Sequence, residues 1–315
     1  MDRQPNQLAH QLFEMAISNR DAFEIKLNSE KGFRVLDFAV GRAGSLEAGI
    51  LLGKICMGGL GEIAVRDDGG ALGLRSVEVS TDDPLLACIA SQYAGWPISC
   101  GDYFAMGSGP VRMLRGEEAI LTAYGLTALR QPAVGVLESN QMPSLETLEQ
   151  MAIECGIEAN LLNVCVARTA SWPGAVQVVA RSIEVAMHKL NELQFDLSVI
   201  RSAVGKAPLP PLAGDDMTAL GWTNDAILYG GRVEIVVDTS DESVNAVVDL
   251  LPSSSSSEFG SPFLDIFERY DKDFYKIDKM LFSPASMRIK NQLTGTVWDV
   301  GEIRNDVLRR SFGIE

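Results

Sequence analysis

The sequence predicts a mixed α/β protein, and three observations carry that reading. Apolar residues recur at helical spacing in some segments and alternate at period two in others. The two kinds of segment follow one another along the whole chain, as in folds that combine helices with sheets. The 315 residues are 46% hydrophobic, which suffices for one large core or two ordinary ones. The intervals between elements do not repeat as β–α–β units, so neither a Rossmann fold nor a TIM barrel is expected.

Pro5–Ser18 reads as a helix from the stripe Leu8, Leu12, Met15 and Ala16. Phe23–Asn28 and Phe33–Val40 alternate as strands, and a helix runs from about Ser45 to Cys56. Glu62–Arg66 and Leu74–Ser80 are strands by the same alternation, and Pro84 stands at the tolerated first-turn position of a helix. Ala133–Glu138 is a short apolar strand. Ser144, with Thr147 and Glu149, introduces a helix that carries Met151 and Ile153, and Leu162–Ala167 returns to strand. Gly174–Leu193 is the longest helical pattern, and two or three further strands and helices complete the chain. Lys206–Asp216, punctuated by Pro208, Pro210 and Pro211, is a candidate boundary. The run Ser253–Ser257 after Leu251-Pro252 has the composition of a flexible linker, and its chemistry equally allows an ordered loop.

With 27 basic and 42 acidic residues the net charge is −15, so the chain lacks the clustered cations that neutralise nucleic-acid phosphates. The acidity serves solubility, and its field also suits a cationic ligand. Met1-Asp2-Arg3-Gln4-Pro5 has neither the basic start nor the apolar run of a signal peptide, and no segment is apolar for long enough to cross a bilayer. Five cysteines, Cys56, Cys88, Cys100, Cys155 and Cys165, form no Cys-x-x-Cys pair; buried, reduced thiols in a cytoplasmic protein are expected.

Arg181, Glu184 and His188 stand three and four apart, the spacing of one helix face. A surface ion pair with a solvated histidine accounts for them. The surrounding apolar residues, Val178, Val179, Ile183, Val185 and Met187, favour a position facing a cleft. There, burial and Arg181 pull the Glu184 pKa in opposite directions. Metal binding is not expected, because His10 and His188 are far apart and have no ligand spacing. No Gly-x-Ser-x-Gly elbow supports a serine triad. Gly58-Gly59-Leu60-Gly61 and Gly107-Ser108-Gly109-Pro110 lack the Walker and dinucleotide patterns. They read as tight turns, or as loops whose backbone N–H groups approach a ligand. Thr223-Asn224-Asp225 reads as a polar turn or cap. Tyr270, Phe274, Tyr275 and Phe282 fit either half-buried packing or a wall against a flat ring.

Taken in order, these pieces resemble the methenyltetrahydromethanopterin cyclohydrolase family. The resemblance rests on Cys56-Met57-Gly58-Gly59-Leu60, Ala94-Gly95-Trp96, Met106-Gly107-Ser108-Gly109-Pro110 and Arg181-Ser182-Ile183-Glu184. It continues through Thr223-Asn224-Asp225-Ala226, Pro252-Ser253-Ser254, Pro262-Phe263, Asp273 through Asp278, Phe282-Ser283-Pro284-Ala285 and Ser311-Phe312-Gly313. It implies one enzyme unit over residues 1–315, made of two α/β lobes that need not be continuous in sequence, with a large pocket between them, assembled as a homotrimer. It also implies that the serine run is ordered. The activity implied is reversible hydrolysis of the methenyl bridge of a tetrahydromethanopterin-type carrier to the N5-formyl form, with that carrier as substrate and no resident cofactor.

By the same resemblance Glu184 is the general base and Arg181 orients it. Substrate contacts are expected from Tyr93, Trp96, Gly107, Ser108, Gly109, Thr223, Asn224 and Asp225. Three positions depart from the family pattern. Tyr93 stands where many archaeal members have lysine, Trp222 where the family commonly has Arg or Lys, and Arg168 where a proline precedes the Thr169-Ala170-Ser171 piece. Two lost cations point to aromatic stacking in place of ion pairing. They also point to a carrier with a shorter, less anionic tail, as in bacterial formaldehyde oxidation. A non-catalytic pterin-binding relative and a methenyltetrahydrofolate cyclohydrolase are the alternatives.

Overall fold

The computed structural model describes residues 4–129 and 131–314. Met1-Asp2-Arg3 of the N-terminal segment and the side chain of Tyr275 lie outside the described residues. In chain order the elements begin with α1 (Pro5–Ser18), β1 (Lys26–Glu30), β2 (Phe33–Ala39), α2 (Leu46–Cys56), β3 (Glu62–Arg66) and β4 (Ser76–Thr81). A π-helical turn over Leu85–Gln92 leads to β5 (Trp96–Cys100), β6 (Tyr103–Ser108), α3 (Arg112–Arg115) and α4 (Ala119–Ala123). Next come β7 (Ala133–Glu138), α5 (Leu145–Cys155), β8 (Leu162–Ala167), α6 (Trp172–Val179), α7 (Ser182–Glu192) and β9 (Ile200–Pro208). The chain closes with α8 (Asp216–Gly230), β10 (Arg232–Val237), α9 (Asp241–Asn245), α10 (Phe263–Arg269), β11 (Ser286–Asn291), β12 (Val297–Gly301) and α11 (Asn305–Phe312).

The chain divides into two compact units, each drawn from two stretches: Met1–Gly61 with Leu86–Gln177, and Glu62–Leu85 with Val178–Glu315. The proline-rich segment from Lys206 to Asp216 therefore lies inside the second unit and is no boundary. β9 runs through to Pro208, and the Leu209 N–H bonds the Arg75 carbonyl at 2.8 Å.

The first unit holds a six-stranded sheet in the order β1-β2-β8-β7-β6-β5, with β2, β8 and β7 parallel and the rest antiparallel. The parallel strands are buried on both faces, which explains why they are mainly apolar, with Arg34, Asp37 and Asn163 as the polar exceptions in β2 and β8. Leu36, Phe38, Val134, Val136 and Cys165 pack with α1 and α2, while Val35, Leu137, Val164 and Val166 pack with α5. Ser45 and Ser144 start α2 and α5 as N-caps, their hydroxyls accepting the Ala48 and Thr147 N–H groups. β1 begins at Lys26, later than expected, because residues 19–24 form the turn that ends α1. The Ile25 N–H closes that turn on the Arg20 carbonyl at 2.9 Å. Pro84 does introduce a helical segment, but one of π type, with the Tyr93 N–H bonded to the Cys88 carbonyl at 2.8 Å.

The second unit holds a mixed sheet in the order β12-β11-β10-β9-β4-β3, in which only β10 and β11 are parallel. Every second residue, Val77, Val79, Ala203, Ala207, Val233, Ile235, Met287 and Ile289, is buried. α7 and α8 pack on these strands, and α10 and α11 pack in turn on α8. The serine run is ordered, as the resemblance implies and the linker composition does not. The Ser253 hydroxyl donates to the Leu228 carbonyl at 2.5 Å, and the Ser256 hydroxyl donates to Asp278 at 2.6 Å.

The single helix expected over Gly174–Leu193 is two helices. Ala180 and Arg181 form a turn between α6 and α7, closed by the Arg181 N–H on the Val178 carbonyl at 3.0 Å. Neither proline nor glycine breaks it. The turn falls where the chain passes from one unit to the other, and each half is seated on its own unit. The Trp172 N–H anchors the start of α6 to the Ala43 carbonyl at 2.7 Å, while α7 lies on β9. That second seat depends on Gly205, since a Cβ there would collide with the Ser182 hydroxyl and meet Val79 at 3.0 Å and Ile183 at 3.1 Å. Gly205→Ala is therefore expected to cost about 1–3 kcal/mol through overpacking. Ser182→Gly in the same chain recovers part of the loss; equal urea midpoints for Gly205→Ala and the parent would contradict this seating.

Candidate active site

The break between α6 and α7 sets the position of the Arg181–Glu184 pair. Arg181 is the N-cap residue of α7, and its carbonyl accepts the Val185 N–H at 2.8 Å. Glu184 lies in the first turn, where the positive end of the helix dipole favours a carboxylate ion. Arg181 is 7% exposed and Glu184 5%, so the solvated surface pair is not what forms. His188, one turn on, is half-buried, its Nε2 3.9 Å from a Glu192 oxygen. His10 lies in the other unit, 3.0 Å from Arg34 and 3.2 Å from Glu14, and burial pushes its pKa down.

The Thr223-Asn224-Asp225 piece is not a turn; it sits within α8. Thr223 and Asn224 bond back to the carbonyls one turn earlier, Ala219 at 2.8 Å and Leu220 at 2.9 Å, which keeps polar residues compatible with the helix. Asp225 is fully buried and joins three helices. Its oxygens accept the Phe263 N–H of α10 at 2.9 Å and the Ser311 hydroxyl of α11 at 2.5 Å. Burial pushes its pKa up to about 7, against the opposing pull of those two hydrogen bonds. The Trp222 ring, expected to stack on a ligand, meets Phe312 of α11 edge-on at 6.0 Å.

The remaining expected contacts belong to the first unit. The guanidinium of Arg112 lies 5.0 Å from the Tyr93 ring centroid, and Arg112, itself fully buried, bonds Glu118 and the Ile89 carbonyl. Trp96 is 1% exposed, its ring in the core with Leu148 and Met151 and its indole N–H bonded to Glu154 at 3.1 Å. Gly107 and Ser108 are strand residues of β6, paired with Leu137 and Val136. The Ser108 hydroxyl donates to the Val136 carbonyl at 3.2 Å. Only Gly109 has the positive φ expected of a turn, +90°; its N–H bonds the Ser91 carbonyl at 2.7 Å, and a Cβ would lie 2.9 Å from the Val134 carbonyl oxygen. Gly107 and Ser108 thus close β6, and Gly109 turns the chain away from it.

Four of the five cysteines are buried and Cys100 is half-buried; all five are free thiols. Among the described residues no helix is long and apolar enough to cross a membrane. Two buried cations escaped the sequence reading, Arg112 and Lys189. The available signal was a lone charge inside an apolar run, Val111-Arg112-Met113-Leu114 and Ala186-Met187-His188-Lys189-Leu190.

A family model described as Cyclohydrolase (MCH) matches residues 5–312. The methenyltetrahydromethanopterin cyclohydrolase of Rhodopirellula baltica is 48% identical over 292 residues, covering 90% of this chain and 87% of that protein. The protein of the same name from Methanospirillum hungatei is 39% identical over 314 residues, 98% of each chain. That of Methanothermobacter thermautotrophicus is 36% identical over 313 residues, 97% of this chain and 98% of its own.

The buried Asp225 generates a pH test. Its folded value of about 7 lies above the roughly 3.9 of an unfolded aspartate. Between those values the folded state binds more protons, so this group makes stability fall as pH rises from about 4 to about 7. Asp225→Asn can still accept from Phe263 and meet Ser311. It is expected to flatten that slope and to be at least as stable as the parent at pH 8. Urea unfolding at pH 5 and pH 8 checks this, and an unchanged slope would contradict it.

Proposed function

Because the chain belongs to the family of methenyltetrahydromethanopterin cyclohydrolases, we propose that it hydrolyses the N5,N10-methenyl bridge of a tetrahydromethanopterin-type carrier, reversibly, to the N5-formyl form. The observation that carries this reading is the buried Arg181–Glu184 pair at the N-terminal end of α7. The methenyl carbon is already an amidinium-like cation and a strong electrophile. The reaction needs a placed water and a base to take its proton.

In this proposal Glu184 takes a proton as the water oxygen bonds to the bridge carbon. The carbon–N10 bond then breaks, Glu184 returns its proton to N10, and the new hydroxyl loses its own proton to give the formyl C=O. One proton is released per turnover. Arg181 orients the Glu184 carboxylate between turnovers. The carrier is the substrate, and no resident cofactor takes part. The reading extends to a cytoplasmic homotrimer working in formaldehyde oxidation; the five free thiols are in keeping with a reducing compartment. Tyr93 and Trp222, in place of cations, support a carrier with a less anionic tail.

Glu184→Gln is expected to keep the fold and to lower turnover by about 10²–10⁴, the usual effect of losing a general base. Loss of the methenyl chromophore at a near-parental rate would refute the assignment. Steady-state kinetics on carriers with and without a phosphorylated tail test the tail preference, and a strong preference for the phosphorylated carrier counts against it.

A further inference from the structure

Lys189 lies on α7 five residues beyond Glu184, about one and a half turns along the helix. It is fully buried, and its ammonium group donates to two acceptors on separate segments. One is the Ser255 hydroxyl oxygen at 3.0 Å, in the ordered serine run; the other is the Met280 carbonyl at 2.5 Å. Both acceptors are themselves fixed. The Ser255 hydroxyl donates to the Leu250 carbonyl at 2.9 Å, and the Met280 N–H bonds an Asp278 oxygen at 3.0 Å. Ser256 closes the ring by donating to the other Asp278 oxygen at 2.6 Å. Alongside, Lys279 pairs with Glu192 at 3.2 Å, so the last turn of α7 is held to the same segment.

We propose that Lys189 is a positioning residue for the hydrolysis: it fixes the roll and axial setting of α7, and through them the placement of Glu184 over the bridge carbon. The proposal rests on the reading of Glu184 as base. Stability alone does not account for a lysine here. Burial pushes its pKa down to about 8 even with the Asp278 carboxylate acting the other way, so the charge is costly where it stands. An apolar side chain of similar volume commonly serves a core as well as a buried ion does. What an apolar side chain lacks is direction. Two bonds to rigid acceptors on different segments fix a helix against rotation, which nondirectional packing does not do. Catalysis is sensitive to that setting, because a displacement of about 1 Å at a distance from the chemistry can cost about a hundredfold in rate.

The test compares Lys189→Met, Lys189→Arg, Ser255→Ala and Glu184→Gln with the parent, following loss of the methenyl chromophore of methenyltetrahydromethanopterin. Lys189→Met is expected to lower kcat about 10- to 100-fold. Its KM should stay within about threefold, and its melting temperature within about 5 °C of the parent, equivalent to a small stability change in a protein of this size. Lys189→Arg, which keeps directional donors, is expected to recover part of kcat. Parental kcat in Lys189→Met beside an inactive Glu184→Gln overturns the positioning role alone. Parental turnover in Glu184→Gln overturns the base assignment and this proposal with it. Should Lys189→Met fail to fold, Ser255→Ala decides: a several-fold fall in kcat at unchanged KM supports the role, and parental kcat overturns it.

Discussion

The turn at Ala180–Arg181 is the constraint from which the proposed chemistry follows. A continuous helix would have given Arg181 and Glu184 ordinary interior positions along it. The break turns the same residues into the cap and first turn of a new helix, at the end where the backbone dipole is positive. Burying a carboxylate is costly unless compensating charge or donors are present, and this location supplies the positive end of a helix. The cause of the break is not local propensity. It is the crossing from one packed unit to the other, with the start of α6 bonded to the Ala43 carbonyl and α7 seated on β9.

α7 is then fixed on two sides. Gly205 allows close approach to β9 on one of them, and Lys189 supplies directional bonds to the serine run and to Met280 on the other. The second unit repeats this use of a buried polar group as a fastener. Asp225 ties α8 to α10 and α11, Ser253 ties its turn to the end of α8, and Ser283 bonds the Leu251 carbonyl. Each hydrogen bond adds little net stability, while leaving any of these groups unpaired would cost more. Such groups define one arrangement of segments that apolar contacts alone would leave free to slide.

The departures from the family pattern acquire partners within the chain. Tyr93 lies against the buried Arg112 guanidinium, which is held by Glu118 and by carbonyls of the π-helical turn. Trp222 contributes to the seat of α11 through Phe312. Each aromatic ring thus has a contact within its own unit, and in the proposed function the two leave fewer cations for an anionic tail to meet.

Several strands, among them Glu62–Arg66, Ala133–Glu138 and Leu162–Ala167, and the helix Pro5–Ser18 were legible in sequence to the residue. Their periodicity is strong, and cap or turn residues bound them. The Arg181–Glu184 pair was legible as a spacing, and the family as a series of short motifs in order. Three things were not legible. The helix broke between residues of good helical propensity, because the partners of its two halves lie far away in sequence. Thr223-Asn224-Asp225 stayed helical because its side chains found carbonyl and inter-helix partners. Lys189 and Arg112 were buried because acceptors arrived from distant segments. The sequence by itself determined where helices and strands form and which polar residues are available, since those depend on neighbours a few positions away. Only the tertiary structure decided which polar residues are buried, and at which helix end they stand, since that depends on contacts between residues tens of positions apart.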